Sequence, residues 1–379
     1  MADSPTALPR PRWRLIPLAM LLVAVIVAAW VGAATNARFN DPAVALPKVA
    51  ADSSVCGPDR AAALDAGEQP WSSENYDASE AVWQPHQQEL HTFAKGPNDW
   101  LFLGDAYVDN VSQAVGRQTL SQAEIEAFRE RFVGLDESLT GQGVEFAFML
   151  APAKWDVYPE QLPEWMQDVR GATNADLLQA AAPELNWIDP RDALAAGSAP
   201  TYAPVNSHWT DYGGYVAWQH TTECLANLSA DYAGVELPSL SSVGAESDET
   251  HNEFAPYGQG GQGNTWTVPE HDEVLPDYEL TSADGSTSQV PWDYQAHMED
   301  FPVAMHNPAA SLDASVLVVG DSTFASLTPY VTQSFTDVHA VRHQMGEGPF
   351  PDVPALAQEY DADLVIMIVT ERALQLAWQ

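Results

Sequence analysis

The feature that most constrains the fold is a short apolar run that leads straight into a tight turn carrying a serine. The run Val316–Val319 is apolar and largely β-branched, and it is too short for a helix, so it predicts a buried strand. Gly320, Asp321 and Ser322 follow at once. Open α/β sheets bind ligands at the carboxyl edge of their strands, and a turn there can display a nucleophilic serine. Gly and Asp are also ordinary turn residues, so a catalytic interpretation requires a base elsewhere in the chain.

Other segments predict helices and strands that alternate as they do in a parallel sheet. Ser121 and Glu124 form a capping-box pattern that begins a helix with apolar residues at helical spacing up to Leu139. We expect strands 144–150 and 364–369 to join strand 316–319 in one mainly parallel sheet flanked by helices. Further expected elements are strands 100–103, 186–189 and 338–341 and helices 175–182, 191–196, 211–228, 354–360 and one from Glu371. The expected α/β domain covers residues 86–379, with 237–308 interpreted as an irregular insertion because it shows no clear periodicity.

The N-terminal part has the pattern of a membrane anchor. Arginines at positions 10, 12 and 14 precede the uncharged, almost wholly apolar run 15–34, which is long enough to span a bilayer. The positive charge predicts a cytoplasmic tail at 1–14, a transmembrane segment at 15–34 and a linker at 35–85. A cleaved signal peptide is the alternative, since small residues follow the run. Both interpretations place the remaining chain outside the cytoplasm.

The charge of the chain limits its partners. The formal net charge is −38, and only three lysines occur among 379 residues. Such a surface repels nucleic acid and disfavours a strongly anionic polymer as substrate. A solvated acidic surface with no specific role would have the same composition.

Cys56 and Cys224 are the two cysteines. Outside the cytoplasm, they predict one disulfide bond. Two cysteines so far apart form no zinc motif, and the sequence indicates no metal or cofactor.

A serine nucleophile needs a base, and the polar stretch around His208 supplies the best candidate. His208 lies in a turn-like segment before the helix expected at 211–228, with Thr210 as its N-cap. His220, His339 and His343 are alternatives in less polar settings. A histidine that only caps the helix would look the same at this level.

Several motifs together resemble one known family. Asn206-Ser-His-Trp209 and Gly320-Asp-Ser322 are similar to the Asp-x-His-Trp and Gly-x-Ser motifs of the AlgX/AlgJ-type alginate O-acetyltransferases, which have an SGNH-hydrolase-like domain. Their order, with histidine before serine, also matches. Further similar segments are Gly96–Leu103, Pro152–Lys154, Tyr158–Pro163 and Trp187–Asp189.

The resemblance implies an extracytoplasmic O-acetyltransferase that acts on an exported polysaccharide or cell-envelope glycan. Ser322 would be acylated, His208 would be the base, and a polytopic membrane acyltransferase would supply acetyl. The family's acid falls on Asn206, whose amide can orient an imidazole but cannot offer a charge. Either another acid serves, with Asp211 and Asp189 as the nearest candidates, or activity is low or absent.

Other polar groups are candidates for the oxyanion hole or for substrate binding. The backbone N–H of Ser322 is a natural oxyanion donor, and Asn98 is a second candidate. The remaining oxyanion or substrate candidates are Asp321, Lys154, Tyr158 and Arg342. A carbohydrate esterase would use the same residues with water as acceptor, and a non-catalytic glycan-binding or assembly protein is a third alternative.

Overall fold

The computed structural model describes residues 56–58, 69–247, 251–259 and 265–377. The tail expected at 1–14, the anchor expected at 15–34 and most of the expected linker lie outside these residues. Within the described part of the chain, none of the helices combines the length and apolar character that crossing a bilayer requires.

The described residues alternate helices and short strands along most of their length. The strands are β1 (Phe93–Lys95), β2 (Leu101–Leu103), β3 (Glu145–Ala151), β4 (Trp187–Ile188), β5 (Leu240–Ser247), β6 (Thr265–His271), β7 (Tyr278–Thr281), β8 (Thr287–Val290), β9 (Val303–His306), β10 (Leu312–Gly320), β11 (Phe335–Arg342) and β12 (Leu364–Thr370). The α-helices are α1 (Tyr76–Trp83), α2 (Asn110–Ala114), α3 (Gln122–Thr140), α4 (Lys154–Val157), α5 (Glu164–Gln167), α6 (Asn174–Ala181), α7 (Arg191–Ala195), α8 (Asp211–Leu228), α9 (Thr328–Ser334) and α10 (Val353–Glu359). Two of the 3-10 helices matter below, Ser322–Leu327 and Glu371–Leu376.

An eight-stranded sheet forms the centre of the fold, in the order β4-β3-β12-β10-β11-β9-β7-β8. The expected neighbours β3, β12 and β10 lie side by side and pair in parallel, which confirms that they share one sheet. The pairings of β11 with β9, of β9 with β7 and of β7 with β8 are antiparallel. The sheet is therefore mixed, and the expectation of a mainly parallel sheet holds only for its β4-to-β11 half.

The antiparallel half comes from the segment interpreted as an irregular insertion, and the expectation that it has no regular structure was wrong. Residues 237–308 contribute β7, β8 and β9 to the main sheet, and β5 and β6 pair as a separate antiparallel ribbon. Strands with one exposed face alternate apolar and polar residues instead of forming a continuous apolar run. The edge strand β8 is almost wholly exposed, so it lacks even that alternation.

Helix α3 has the predicted cap and the predicted buried stripe. Ser121 and Glu124 form a reciprocal capping box. The Phe128 and Phe132 rings pack on Phe148 of β3 at centroid distances of 5.5 and 5.0 Å. Burial of each such side chain contributes roughly 1.5–3 kcal/mol, so this stripe fixes α3 on the sheet.

The folded domain begins earlier than expected. Helix α1 lies within the range expected to be linker, yet Trp83 at its end is fully buried. The guanidinium of Arg117 lies 5.2 Å from the centre of the Trp83 ring. Residues 76–83 therefore belong to the α/β domain.

The predicted disulfide is present. Cys56 and Cys224 are bonded, with their Cα atoms 5.7 Å apart. The backbone of Cys56 also extends the sheet edge, because its N–H donates to the Trp187 carbonyl at 2.8 Å and its carbonyl accepts from the Asp189 N–H at 2.9 Å. His220 lies beside the bond, but both sulfur atoms are committed to each other and cannot act as thiolate ligands.

The parallel strands end together at one edge of the sheet. Gly320 at the end of β10 lies opposite Arg342 of β11, and Thr370 at the end of β12 lies opposite Ala151 of β3. Ser322 follows Gly320 by two residues, so it lies at the carboxyl edge where open α/β sheets bind ligands.

Candidate active site

The turn that carries Ser322 is fixed by the buried carboxylate before it. Asp321 Oδ1 accepts from the N–H and hydroxyl of Thr323 at 3.0 and 2.6 Å. Asp321 Oδ2 accepts from the N–H and hydroxyl of Thr370 at 2.9 and 2.7 Å. Burial opposes ionisation of Asp321, but bonds from His343, Thr323 and Thr370 outweigh it and hold the pKa of Asp321 well below its usual range. The carboxylate, a sequence candidate for the oxyanion or substrate role, is thus occupied in tying the turn to β12.

The structure brings His208 to Ser322. The imidazole Nε2 lies 2.8 Å from Ser322 Oγ, although the residues are 114 positions apart. His208 lies in the loop before α8, and Thr210 caps that helix as predicted by accepting from the Gly213 N–H at 3.1 Å. A hydroxyl and an imidazole at this distance form the pair that a serine nucleophile requires.

Close packing behind the pair depends on two glycines in the first turn of α8. A Cβ atom on Gly214 would lie 2.4 Å from the carbonyl oxygen of Ser326, which belongs to the 3-10 helix that begins at Ser322. A Cβ atom on Gly213 would lie 2.3 Å from the carbonyl oxygen of Thr201. Gly214 lets helix α8 approach the 3-10 helix that begins at Ser322, and Gly213 lets it approach the backbone of Thr201.

Asn206 bonds to both the backbone and the ring of His208. Its Oδ1 accepts from the His208 N–H at 2.8 Å and lies 3.1 Å from Nδ1. Its Nδ2 donates to the carbonyl oxygen of His251 at 2.6 Å. The amide therefore presents its oxygen to the imidazole and its nitrogen to a neighbouring segment.

Glu253, which no sequence motif indicated, is a second neighbour of the same ring nitrogen. Its Oε1 lies 2.9 Å from His208 Nδ1. Ser207 donates to both Glu253 oxygens, from its N–H at 2.7 Å and from its hydroxyl at 3.0 Å. Both neighbours of Nδ1 present oxygen acceptors, so Nδ1 carries the proton and Nε2 is free to accept from Ser322.

The carboxylates proposed from sequence as alternative acids are engaged elsewhere. Asp189 is fully buried and pairs with Arg191 at 2.6 Å. Asp211 accepts from the Gln295 side chain at 2.8 Å, and burial raises its pKa, opposed by bonds from Gln295 and Trp266. Glu253 replaces them as the carboxylate at His208.

Two of the candidate substrate-binding groups make structural contacts inside the domain. Lys154 is 3% exposed and donates to the carbonyl oxygens of Leu101, Ala203 and Pro204 at 2.6, 3.2 and 2.9 Å. Burial lowers the pKa of Lys154 to about 7. The Tyr158 hydroxyl accepts from the Thr201 N–H at 2.9 Å. Both side chains support the loop that leads to His208.

The other candidates lie at the surface or in structural contacts. Arg342 pairs with Glu347 and lies beside Gly320 at the carboxyl edge. Asn98 is exposed in the turn before β2, and its Nδ2 donates to Gln161 at 3.4 Å. Among the alternative histidines, His343 contacts Asp321, His220 lies against the disulfide, and His339 stacks on Tyr360.

The chain matches one known protein family by sequence. Residues 93–286, just over half of the chain, match the family model described as SGNH hydrolase-like domain, acetyltransferase AlgX. This range includes Asn206, His208 and Glu253. No curated protein matches the chain by sequence.

Two solved structures are similar in fold, and a third aligns less closely. Bacillus cereus PatB1 with a sulfonyl adduct aligns with a TM-score of 0.56 and 17% identity over 74% of this chain and 95% of that one. A second structure of Bacillus cereus PatB1 aligns with a TM-score of 0.52 and 16% identity, over 74% and 96% of the two chains. The O-acetyltransferase domain of Pseudomonas putida AlgJ aligns with a TM-score of 0.44 and 14% identity, over 75% and 92%.

Proposed function

This chain belongs to the family of the SGNH hydrolase-like domain of the acetyltransferase AlgX, and we propose that it is an extracytoplasmic O-acetyltransferase. The proposed acceptor is a hydroxyl of an exported polysaccharide or cell-envelope glycan. The observation that carries the proposal is the 2.8 Å approach of His208 Nε2 to Ser322 Oγ at the carboxyl edge of the sheet. Because this chain carries a net charge of −38, we expect an acceptor without dense negative charge.

The reaction would proceed in two halves. Ser322 Oγ attacks the carbonyl carbon of an acetyl donor while His208 Nε2 takes the hydroxyl proton, and the leaving group departs with that proton. His208 then takes a proton from a sugar hydroxyl, whose oxygen attacks the acetyl-serine. Ser322 is released when the proton returns to its Oγ.

The developing negative charge on the carbonyl oxygen needs a donor. Ser322 is the first residue of a 3-10 helix, a position where the backbone N–H has no partner within the helix. We propose that this N–H contributes to the oxyanion hole. Arg342, beside Gly320 at the same edge, is the proposed substrate contact.

The acetyl source and the location are part of the same proposal. A polytopic membrane acyltransferase would deliver acetyl to the outer face of the membrane. The segment 15–34 would hold the domain there, with the N-terminus in the cytoplasm.

Incubation with p-nitrophenyl acetate and uncharged glycans tests the proposal. We expect acetylated sugar together with a transient acetyl group on Ser322, detected by mass spectrometry of the intact protein. Ser322→Ala and His208→Ala should each abolish both signals, and the double variant should lose no more than either alone, because the two residues act as a unit.

The products separate this proposal from its alternatives. Free acetate without acetylated sugar would identify an esterase. Equal signals from the wild type and Ser322→Ala would refute the catalytic role and leave a glycan-binding or assembly protein.

A further inference from the structure

We infer that Glu253 is the charged partner of His208, and that Asn206 orients the imidazole and holds in place the segment that brings this acid. The inference deepens the proposed function and rests on it. It assigns the negative charge beside His208 to Glu253, which lies 45 positions after the histidine, and not to position 206, two residues before it. In these terms both Glu253 and Asn206 are positioning residues, because they act through His208.

The first support is the geometry at Nδ1. Glu253 Oε1 lies 2.9 Å from this nitrogen, slightly closer than Asn206 Oδ1 at 3.1 Å. Only Glu253 adds a negative charge at that distance. A carboxylate there stabilises the imidazolium that forms when Ser322 gives up its proton, whereas an amide oxygen supplies only the orientation.

The second support is that the carboxylate is held rigidly. The N–H and hydroxyl of Ser207 bind its two oxygens, which fixes the plane of the carboxylate against the ring. The Glu253 side chain is 26% exposed, similar to the 27% of His208. The pair therefore lies at the surface of the site without being fully open to solvent.

The third support is that the backbone of this segment is attached to the loop that carries His208. The Glu253 N–H donates to the Val205 carbonyl at 3.1 Å, and Asn206 Nδ2 donates to the His251 carbonyl at 2.6 Å. Phe254 is fully buried against Leu101 and Val205. These contacts set the position of the acid as firmly as a residue within the motif would be set.

The charges around Glu253 favour its ionised form. Burial raises the pKa of Glu253, but the bonds and charge of His208 and the bonds of Ser207 outweigh this and lower it to about 2. The charge of Glu253 also acts on Lys154, where it opposes the lowering of the pKa by burial, and on Tyr107. The bonds from His208 and Ser207 thus favour the ionised form of Glu253.

This arrangement also explains why asparagine fits at position 206. An aspartate there would face the His251 carbonyl oxygen at 2.6 Å without a donor, and it would place a second carboxylate beside Glu253. Asparagine accepts from His208 with one atom and donates to His251 with the other. Asn206 therefore fits a site in which Glu253 supplies the negative charge that an aspartate at position 206 would otherwise supply.

The test measures the rate at which phenylmethylsulfonyl fluoride modifies Ser322 in the full chain, across the pH range, by mass spectrometry. We expect Glu253→Gln to react at least about tenfold more slowly at neutral pH. The rate should fall by less than the ~10⁴-fold seen when a serine-protease triad loses its acid and its histidine takes the wrong tautomer. Here Asn206 still accepts from Nδ1 and keeps the proton on that nitrogen. Without the carboxylate the imidazolium is less favoured, so the acidic limb of the rate profile should move to lower pH.

Two variants make the result specific. Glu279→Gln removes the same charge from the exposed face of β7 and should leave rate and profile unchanged. Glu253→Asp keeps the charge and should retain more of the rate than Glu253→Gln. A Glu253→Gln rate equal to wild type, or a loss that is uniform with pH and leaves the limb in place, would overturn the inference.

A different result of the same experiment would refute the proposed function. If the wild type and Ser322→Ala are modified equally, Ser322 is not an activated nucleophile, and the inference falls with the function. If Ser322 reacts in the wild type and Glu253→Gln behaves like Glu279→Gln, the function stands and Glu253 is merely structural.

Discussion

The indole Nε1 of Trp209 donates to the carbonyl oxygen of Thr323 at 3.1 Å, so the residue after His208 is bonded to the residue after Ser322. Trp209 is 1% exposed. The bond joins the two loops of the site independently of the contact between His208 and Ser322. It therefore helps to hold His208 close to Ser322 without relying on the bond between their own side chains.

Trp209→Phe tests this relationship. The substitution keeps most of the buried ring but leaves the Thr323 carbonyl without its donor, which should cost about 1–3 kcal/mol of stability in urea unfolding. We also expect slower sulfonylation of Ser322, because the loops lose their common anchor. Trp218→Phe is the matched control, since its indole donates to Ser334 at 2.9 Å outside the site and should affect stability alone. Equal sulfonylation rates in the two variants would contradict the anchoring role.

Asn206→Asp should weaken the site, although it restores the residue of the family motif. The new carboxylate loses the donor to the His251 carbonyl, and the cost should be about 1–3 kcal/mol. Repulsion raises the pKa of the new carboxyl, so the loss of stability should be larger at pH 8 than at pH 4, where protonation relieves it. Urea unfolding at both pH values measures this, with Asn206→Ala as the uncharged comparison. A more active and equally stable Asn206→Asp variant would be the opposite outcome.

Asp321 should make the protein sensitive to acid. Because its pKa is held below the usual range in the folded protein, its contribution to stability is complete above the ordinary value of 3.8 and is lost as the pH falls toward the folded-state value. Asp321→Asn should therefore be much less stable than wild type at pH 7, and the difference should narrow as the pH is lowered. Asp313→Asn, on the exposed start of the same strand, should follow the wild type within about 0.5 kcal/mol. A constant difference at all pH values would show that the charge of Asp321 is not what stabilises the turn.

The disulfide should contribute substantially to stability. It closes a loop of 168 residues, and removal of such a bond typically costs about 2–5 kcal/mol. We expect reductant to lower the Tm of the wild type, and Cys56→Ser/Cys224→Ser to show the lower Tm with or without reductant. Thiol titration confirms that the bond has been reduced. A fully reduced wild type with unchanged Tm would mean that the contacts of Cys56 with β4 suffice on their own.

The sequence predicted the parts of the fold whose signal is local. Helix α8 lies at the expected 211–228, and β12 differs by one residue from the expected strand, because continuous apolar runs and N-caps mark these elements. The strands of residues 237–308 were not predicted, since β7, β8 and β9 have only four residues each and all five strands include residues that are not buried. Whether such a segment becomes a strand depends on whether it reaches the edge of a sheet with which it can pair.

The same distinction applies to the site. Ser322 and His208 were singled out because each lies at the boundary of a strongly patterned element. Glu253 was not, because it is one of 53 acidic residues and its position depends on how a weakly patterned segment packs back on the chain. Lys154 and Tyr158 were named as candidate substrate contacts in segments that resemble the family, with a structural role as the alternative, and their donors and acceptors are used inside the domain.

The position of β12 has a consequence for when the site can assemble during synthesis of the chain. This strand follows all other strands of the sheet in sequence, yet it lies between β3 and β10, and Thr370 at its end holds the carboxylate beside Ser322. A ribosome that has released the chain only as far as residue 360 has therefore delivered Ser322 and His208 but not the strand that supports them. Long-range parallel pairing is also intrinsically slow to form. The site around Ser322 should consequently assemble only after residue 370 has emerged.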